Sequence, residues 1–187
     1  GIKNNRNWLA HGEKSFIEVG SKSTYLQLQN AKTYVLLFLK EYISSVEKYI
    51  NNDDEMMIAN SDQYVDIDIN DYIKAQEGYD GLIMTMKADD PKWSFIKYDE
   101  NNLVTDVQEK VVISDEATVG IYNFAKGSDF VKYAKQMIEK EIRVNGEYYV
   151  APVYNEMIKD GKKITFYNIG SENNGMYGLG IPADLNK

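Results

Sequence analysis

Apolar positions along this chain fall into short β-like runs separated by stretches of helical spacing. Residues 33–39 form a continuous apolar run with aromatic and β-branched members, which predicts a buried strand. From 40 to 51, Tyr42, Ile43, Val46, Tyr49 and Ile50 recur three and four apart, the period of an amphipathic helix. A turn at 52–54 leads to a second buried strand at 55–59, which runs into the polar tetrapeptide Asn60-Ser61-Asp62-Gln63. Asn70 and Asp71 are N-cap residues for a short helix that Gly78 stops. Strands are expected at 81–87, 94–98, 103–110, 117–124 and 164–169, with a hairpin turn at 100–102. Ser128 caps a helix whose inner face is Phe130, Val131, Ala134, Met137 and Ile138. A second helix is expected over 148–159, ended by Gly161. Before residue 30 only 15–19 looks strand-like. The order predicts one α/β domain over 1–187, a Rossmann-like mixed, mainly parallel sheet with helices on both faces.

Composition narrows the chemistry. The chain has 187 residues, a net charge of −8, no Cys and one His, His11. Thiol nucleophiles, zinc thiolates and disulfides are therefore excluded, and a Ser-His-Asp triad would have to use His11. The acidic balance argues against a nucleic-acid partner. A polyanionic substrate would need local Lys or Arg, or a divalent cation. No apolar run is long enough to span a bilayer and no signal-peptide pattern opens the chain, so no membrane partner and a cytoplasmic location are expected.

Several short motifs carry chemistry. A strand ending in a carboxylate at a loop is how an open α/β sheet presents a metal ligand to a phosphate, and Asp62 occupies that position. The polar residues around it are costly to place unless they line a cleft. Asp66, Asp68, Asn70 and Glu77 fall at calcium-loop spacing, but Asp71 stands where the loop needs glycine, so an exposed strand edge running into a capped helix is the simpler reading. Glu109-Lys110 ends an alternating strand, and it reads either as a surface pair or as an acid for hydroxyls beside a base for a phosphate. Pro91-Lys92-Trp93-Ser94 puts an aromatic and a hydroxyl between two strands, for stacking on a sugar or base or for core packing. Gly178-Leu179-Gly180-Ile181-Pro182-Ala183-Asp184 allows close backbone approach to a ligand, with Asp184 opening a helix. Tyr148 and Tyr149 suit either a pocket or an interface between copies of the chain.

In their order and spacing, these stretches, together with 117–122 and 145–149, resemble the sugar-phosphate nucleotidyltransferase family from about residue 51 onward. The likeness is to the branch that serves capsular and surface polysaccharide synthesis, cytidylyltransferases included. The resemblance implies a GT-A-like sheet and a Mg-dependent reaction between a nucleoside triphosphate (CTP as the first choice) and a phosphorylated sugar or similar acceptor, with pyrophosphate released. It implies that Asp62 and Asp184 hold the metal and that Glu109 and Lys110 bind the acceptor. Gly120 would let the acceptor lie against its strand, with Asn60, Trp93 and Ser94 beside it. The family opens with a Gly-rich, Arg-containing loop and a lysine segment. Here the nearest counterparts are Gly1, Arg6 and 13–19, with Lys14 in the position of the catalytic lysine. The base-reading loop has no counterpart between about 44 and 51, and the chain stops soon after Asp184. An alternative is therefore a catalytically degenerate sugar-phosphate or nucleotide-binding domain on the same scaffold. A homo-oligomer is compatible with either reading.

Overall fold

The computed structural model describes residues 25–180. The chain divides into two compact units, Gly1–Tyr49 and Ile50–Lys187. In the first, a single helix α1 spans Tyr25–Ile50. This replaces the strand expected at 33–39 and absorbs the helix expected at 40–51. No Gly or Pro separates the two segments, and the residues before 33 are strong helix formers (Leu26, Gln27, Leu28, Gln29, Ala31, Lys32), so propagation along one helix outweighs the local β preference of Val35 and Phe38. Tyr34 and Leu37 are exposed on it. The strand read at 15–19 lies outside the described residues.

The second unit is built on one eight-stranded sheet among the described residues. Its strands are β1 (Met56–Ala59), β2 (Gln63–Val65), β3 (Gly81–Lys87), β4 (Ser94–Tyr98), β5 (Val104–Glu109), β6 (Glu116–Phe124), β7 (Ile164–Glu172) and β8 (Gly175–Gly178). They lie in the order β2-β8-β7-β3-β6-β4-β5, with β1 also paired to β6. The sheet is mixed, as expected. Parallel pairing is the minority, however: β3–β7 and β7–β8 are parallel, and the other five pairings are antiparallel. Short links favour antiparallel neighbours. The β4–β5 link, for example, is a tight turn in which the Asp99 carboxylate accepts from the Asn101 and Leu103 amides and Asn102 adopts φ 59. Strand β1 is half-exposed rather than buried, because β6 is its one neighbour among the described residues.

Helices α2 (Ile69–Lys74), α3 (Gly127–Glu139) and α4 (Val153–Lys159) complete the unit. The cap of α2 is Asp68 rather than Asn70 or Asp71, which lie inside the helix; its carboxylate accepts from the Asn70 amide. The strand ends at Val65, so the acids lead into a capped helix as expected but do not form a strand edge. Ser128 is not the cap of α3, which begins two residues earlier, after Lys126. Pro152 fixes the start of α4, because a proline ring inside a helix would clash with the carbonyl four residues back. Residues 148–151 are thereby left non-helical, against expectation.

The sheet has a core on each face. One packs Ile83, Ile96, Val107, Tyr122 and Phe124 under Tyr133, Met137, Tyr154 and Met157 from α3 and α4. The other packs Leu82, Met84, Met86, Phe95, Val119 and Ile121 with Tyr72 from α2. Strand β3 is buried on both sides, which is why it reads as an unbroken apolar run. Gly81 lets the Tyr154 ring close on β3: a Cβ there would stand 2.7 Å from Tyr154 Cε1. Edge strand β5 is held by Asn155 of α4, whose amide accepts from Val107 N at 2.8 Å and donates to Val107 O at 2.7 Å. This bracket satisfies the strand's free edge and fixes the strand that carries Glu109.

Candidate functional site

Cross-strand register brings the site together. Ser94 opens β4 and lies opposite Glu109, the last residue of β5. On β6, Thr118, Gly120 and Tyr122 share one face, two residues apart. Asn60 continues β1 past its last pair, donating its amide to Gly120 O at 3.0 Å. Facing these, the segment released by Pro152 presents Tyr148, Tyr149, Val150 and Ala151. Together they enclose a cleft of about 410 Å³ that Lys92 and Trp93 also line. Five residues expected at a substrate site, Asn60, Trp93, Ser94, Glu109 and Gly120, therefore meet in one cleft. A smaller cavity of about 160 Å³ adjoins it, lined by Asn60, Asp62, Gln63, Trp93, Met176, Gly178 and Gly180. Asn60 and Trp93 border both.

A polar network lies at the floor. Glu109 is 8% exposed, and one of its oxygens accepts from Ser94 Oγ. Its other oxygen has no partner among the described residues. Tyr122 is buried against the same cluster, with its hydroxyl 2.9 Å from Thr118 Oγ1. Burial pushes that hydroxyl up to about 12, the Thr118 bond opposing and the Glu109 charge adding to the rise. Tyr122 is therefore a neutral hydrogen-bonding group at ordinary pH. A buried carboxylate with one neutral donor is costly, and groups that can donate to it are the chemistry this floor invites.

Two cations stand at the cleft. Lys92 lies over the Trp93 ring at 4.9 Å from its centroid and bonds Glu172 at 3.1 Å; the Glu172 bond holds the ammonium above the ordinary lysine range. Lys110 ends β5 at φ 58. It donates to the Tyr149 hydroxyl at 3.1 Å rather than lining the cavity, and that bond raises its affinity for a proton. The backbone amides of Gln63 and Leu179 anchor the neighbouring cavity: Gln63 pairs with Gly178, and Leu179 N donates to Asp62 O at 2.8 Å. A Cβ on Gly180 would lie 3.2 Å from Asp62 Oδ2, so the carboxylate sits against the chain that leads on to Asp184. Asp184 and Lys14 lie outside the described residues.

What lies against Gly120 is the side chain of Asn60: a Cβ at Gly120, where φ is +76, would come 2.6 Å from Asn60 Cγ. Among the described residues no three Asp, Glu, His or Cys side chains gather into a metal-holding group. A hard divalent cation bound through one or two carboxylates and completed by phosphate oxygens needs no such group. Exposed Asp62 fits that mode. Tyr122 and Thr118 were not among the expected site residues, whereas Tyr149, read as suited to a pocket or an interface, lines the cleft. The signal for both missed residues was the two-residue period from Gly120; Pro152, just downstream, is what leaves Tyr149 free of the helix.

No helix among the described residues is long and apolar enough to cross a membrane. No protein-family model and no curated protein sequence matches the chain. Solved structures do. A nucleoside-diphosphate-sugar pyrophosphorylase from Vibrio cholerae RC9 aligns with TM-score 0.62 at 24% identity, over 81% of this chain and 61% of that one. A Bacillus anthracis protein assigned as a glucose-1-phosphate thymidylyltransferase, solved with sucrose, aligns with TM-score 0.56 at 19% identity, over 78% and 57%. The inositol-1-phosphate CTP transferase from T. maritima aligns with TM-score 0.55 at 13% identity, over 79% and 58%. The chain thus spans less than two thirds of the length of these structures and shares their fold. The resemblance read from its motifs is carried at the level of architecture.

Proposed function

We propose that this chain is the acceptor-binding body of a Mg-dependent nucleotidyltransferase. It would join a nucleoside triphosphate, CTP first, to a phosphorylated sugar or similar precursor of capsular or surface polysaccharide. The observation that carries the reading is the adjacency of two unlike carboxylates. Glu109 is buried in the larger cavity with one oxygen unpartnered among the described residues, and Asp62 is exposed in the next, with Asn60 and Trp93 as the common wall. The first suits hydroxyls and the second suits a phosphate-bound cation.

In the reaction, an acceptor phosphate oxygen forms a bond to the α-phosphorus, the bond to the β-phosphate bridging oxygen breaks, and its electron pair leaves on pyrophosphate. Glu109 accepts from acceptor hydroxyls, aimed by its bond from Ser94. Trp93 covers one face of the acceptor. Asn60 spans the step from acceptor to phosphate, held in place by the space Gly120 leaves. Lys110 supplies positive charge to the acceptor phosphate, and Lys14 supplies it to the triphosphate. Asp184, four residues beyond Gly180 in the sequence, joins Asp62 as the second metal ligand. Bound Mg would offset the phosphate charge that builds up in the transition state. Dependence on a nucleoside triphosphate places the reaction in the cytoplasm.

Pyrophosphate release is the test, with each of the four nucleoside triphosphates, Mg and α-D-glucose 1-phosphate or another sugar phosphate. Asp62→Asn is expected to lower turnover by at least about a hundredfold while moving the melting temperature by less than about 1 °C, since the side chain is exposed. Full activity in Asp62→Asn removes the metal role. Thermal stabilisation by a sugar phosphate and by no triphosphate would instead support the binding-domain alternative.

A further inference from the structure

Tyr149 is a cleft-wall residue whose two hydroxyl contacts both run to charged groups. Its hydroxyl receives the Lys110 ammonium at 3.1 Å and donates to Glu147 at 2.7 Å. The same ammonium lies 5.2 Å from the centroid of the Tyr149 ring. The segment that carries Tyr149 is itself held. Val144 and Glu147 form a backbone bridge in both directions, closed by Asn145 and Gly146 at positive φ. Arg143 stacks on Tyr148 at 4.7 Å from its centroid. On the other side, the Lys110 amide is tied to Trp93 O at 3.1 Å. Both ends of the Lys110–Tyr149 contact are thus anchored in separate elements.

The geometry points to Tyr149 as the positioning residue for Lys110. Its ring and hydroxyl hold the lysine's charge at the mouth of the cleft, and Glu147 behind it orients the phenol so that its lone pairs face the ammonium. This rests on the reading that Lys110 serves the acceptor phosphate, and it adds the element that puts the charge there. An unheld lysine is a flexible four-carbon stem, and fixing it in advance spares rotamer entropy when the anion arrives. The contact uses one of the three ammonium hydrogens, so the others remain available to a phosphate oxygen.

Two measurements decide it. The first needs no ligand. The lysines are dimethylated with ¹³C and followed by NMR, with Lys110 identified from its missing signal in Lys110→Met. In Tyr149→Phe, which keeps the ring but not the hydroxyl, the Lys110 signal is expected to move toward the position of the freely exposed lysines; an unmoved signal overturns the proposal. The second is calorimetric titration with α-D-glucose 1-phosphate of the unaltered protein, Tyr149→Phe, Lys110→Met and the double variant. Tyr149→Phe is expected to weaken binding about three- to tenfold, and to weaken it no further once Lys110 is Met. Equal losses with and without Lys110 show that Tyr149 acts on its own and overturn the positioning role. If the sugar phosphate binds none of the four, the acceptor reading fails, and the NMR result still decides whether Tyr149 holds Lys110.

Discussion

Gly120→Ala tests the construction of the cleft, because two separable penalties meet at that position. Gly120 sits at φ +76, where a Cβ crowds the carbonyl and costs about 1–2 kcal/mol. The added Cβ would also stand 2.6 Å from Asn60 Cγ and closer still to the amide nitrogen. That overlap falls on the far end of an exposed side chain, which can rotate to another staggered position for about 1 kcal/mol or less. The total, about 1–3 kcal/mol, corresponds to a drop in melting temperature of roughly 2–12 °C for a chain of this size. The assay is denaturation of the unaltered protein, Gly120→Ala, Asn60→Ala and the double variant. Asn60→Ala removes the overlap but not the backbone strain, so Gly120→Ala is expected to cost about 1–2 kcal/mol in that background. Sugar-phosphate binding completes the test. Gly120→Ala drives the Asn60 amide out of the wall, so its affinity should fall to that of Asn60→Ala. Unchanged stability would refute the left-handed conformation. Undiminished binding in Gly120→Ala, with loss in Asn60→Ala, would refute the claim that the glycine exists to seat the amide.

Ser94→Ala removes the donor from a buried carboxylate, and the KM for the acceptor should rise about tenfold or more. The KM for the triphosphate should not change, and Ser94→Thr should restore most of the loss; equal rises in both KM values would sink the role. Glu156 is 1% exposed and bonded by Lys140 and Lys159, which hold its carboxyl below the usual range, Lys140 foremost. A depressed carboxyl pKa gives stability that is present above the unfolded value of 4.5 and is lost as pH falls through the lower folded value. Glu156→Gln should therefore cost about 1–3 kcal/mol at pH 7 and progressively less on acidification below about pH 4.5. Urea denaturation at pH 7, 5, 4 and 3 checks this, and a cost independent of pH excludes the ion pairs as its source.

The strands were legible where sequence punctuation and burial agreed. Both 81–87 and 94–98 appear within the bounds expected, because Gly81 and Pro91 bracket apolar runs too short to be helices. The first helix was not legible in this way. The run at 33–39 has strand-like composition, and what decides its fate is the unbroken chain on either side, since a helix already propagating from Tyr25 gains one hydrogen bond for each further residue fixed. The segment 148–159 failed in the opposite sense. Its apolar spacing is helical throughout, but Pro152 can start a helix and cannot lie inside one. The proline therefore settles both where α4 begins and which residues are left to line the cleft.

The same distinction explains the site. Asn60, Trp93, Ser94, Glu109 and Gly120 each sit at the end or the irregular point of a strand, and polar residues at such points are conspicuous. Tyr122 and Thr118 lie inside β6, which is buried along its whole length, so no alternation of apolar and polar residues marks the face that turns to the cleft. Lys110 poses a subtler problem. Adjacent residues on a strand project to opposite faces, so Glu109 and Lys110 could not both serve one cleft if β5 continued. The strand stops at Glu109, and φ 58 at Lys110 redirects the chain. Even so, the ammonium comes to rest on Tyr149, from a segment nearly forty residues further along. Sequence adjacency supplies the acid and the base, and the distant tyrosine sets where the base is held.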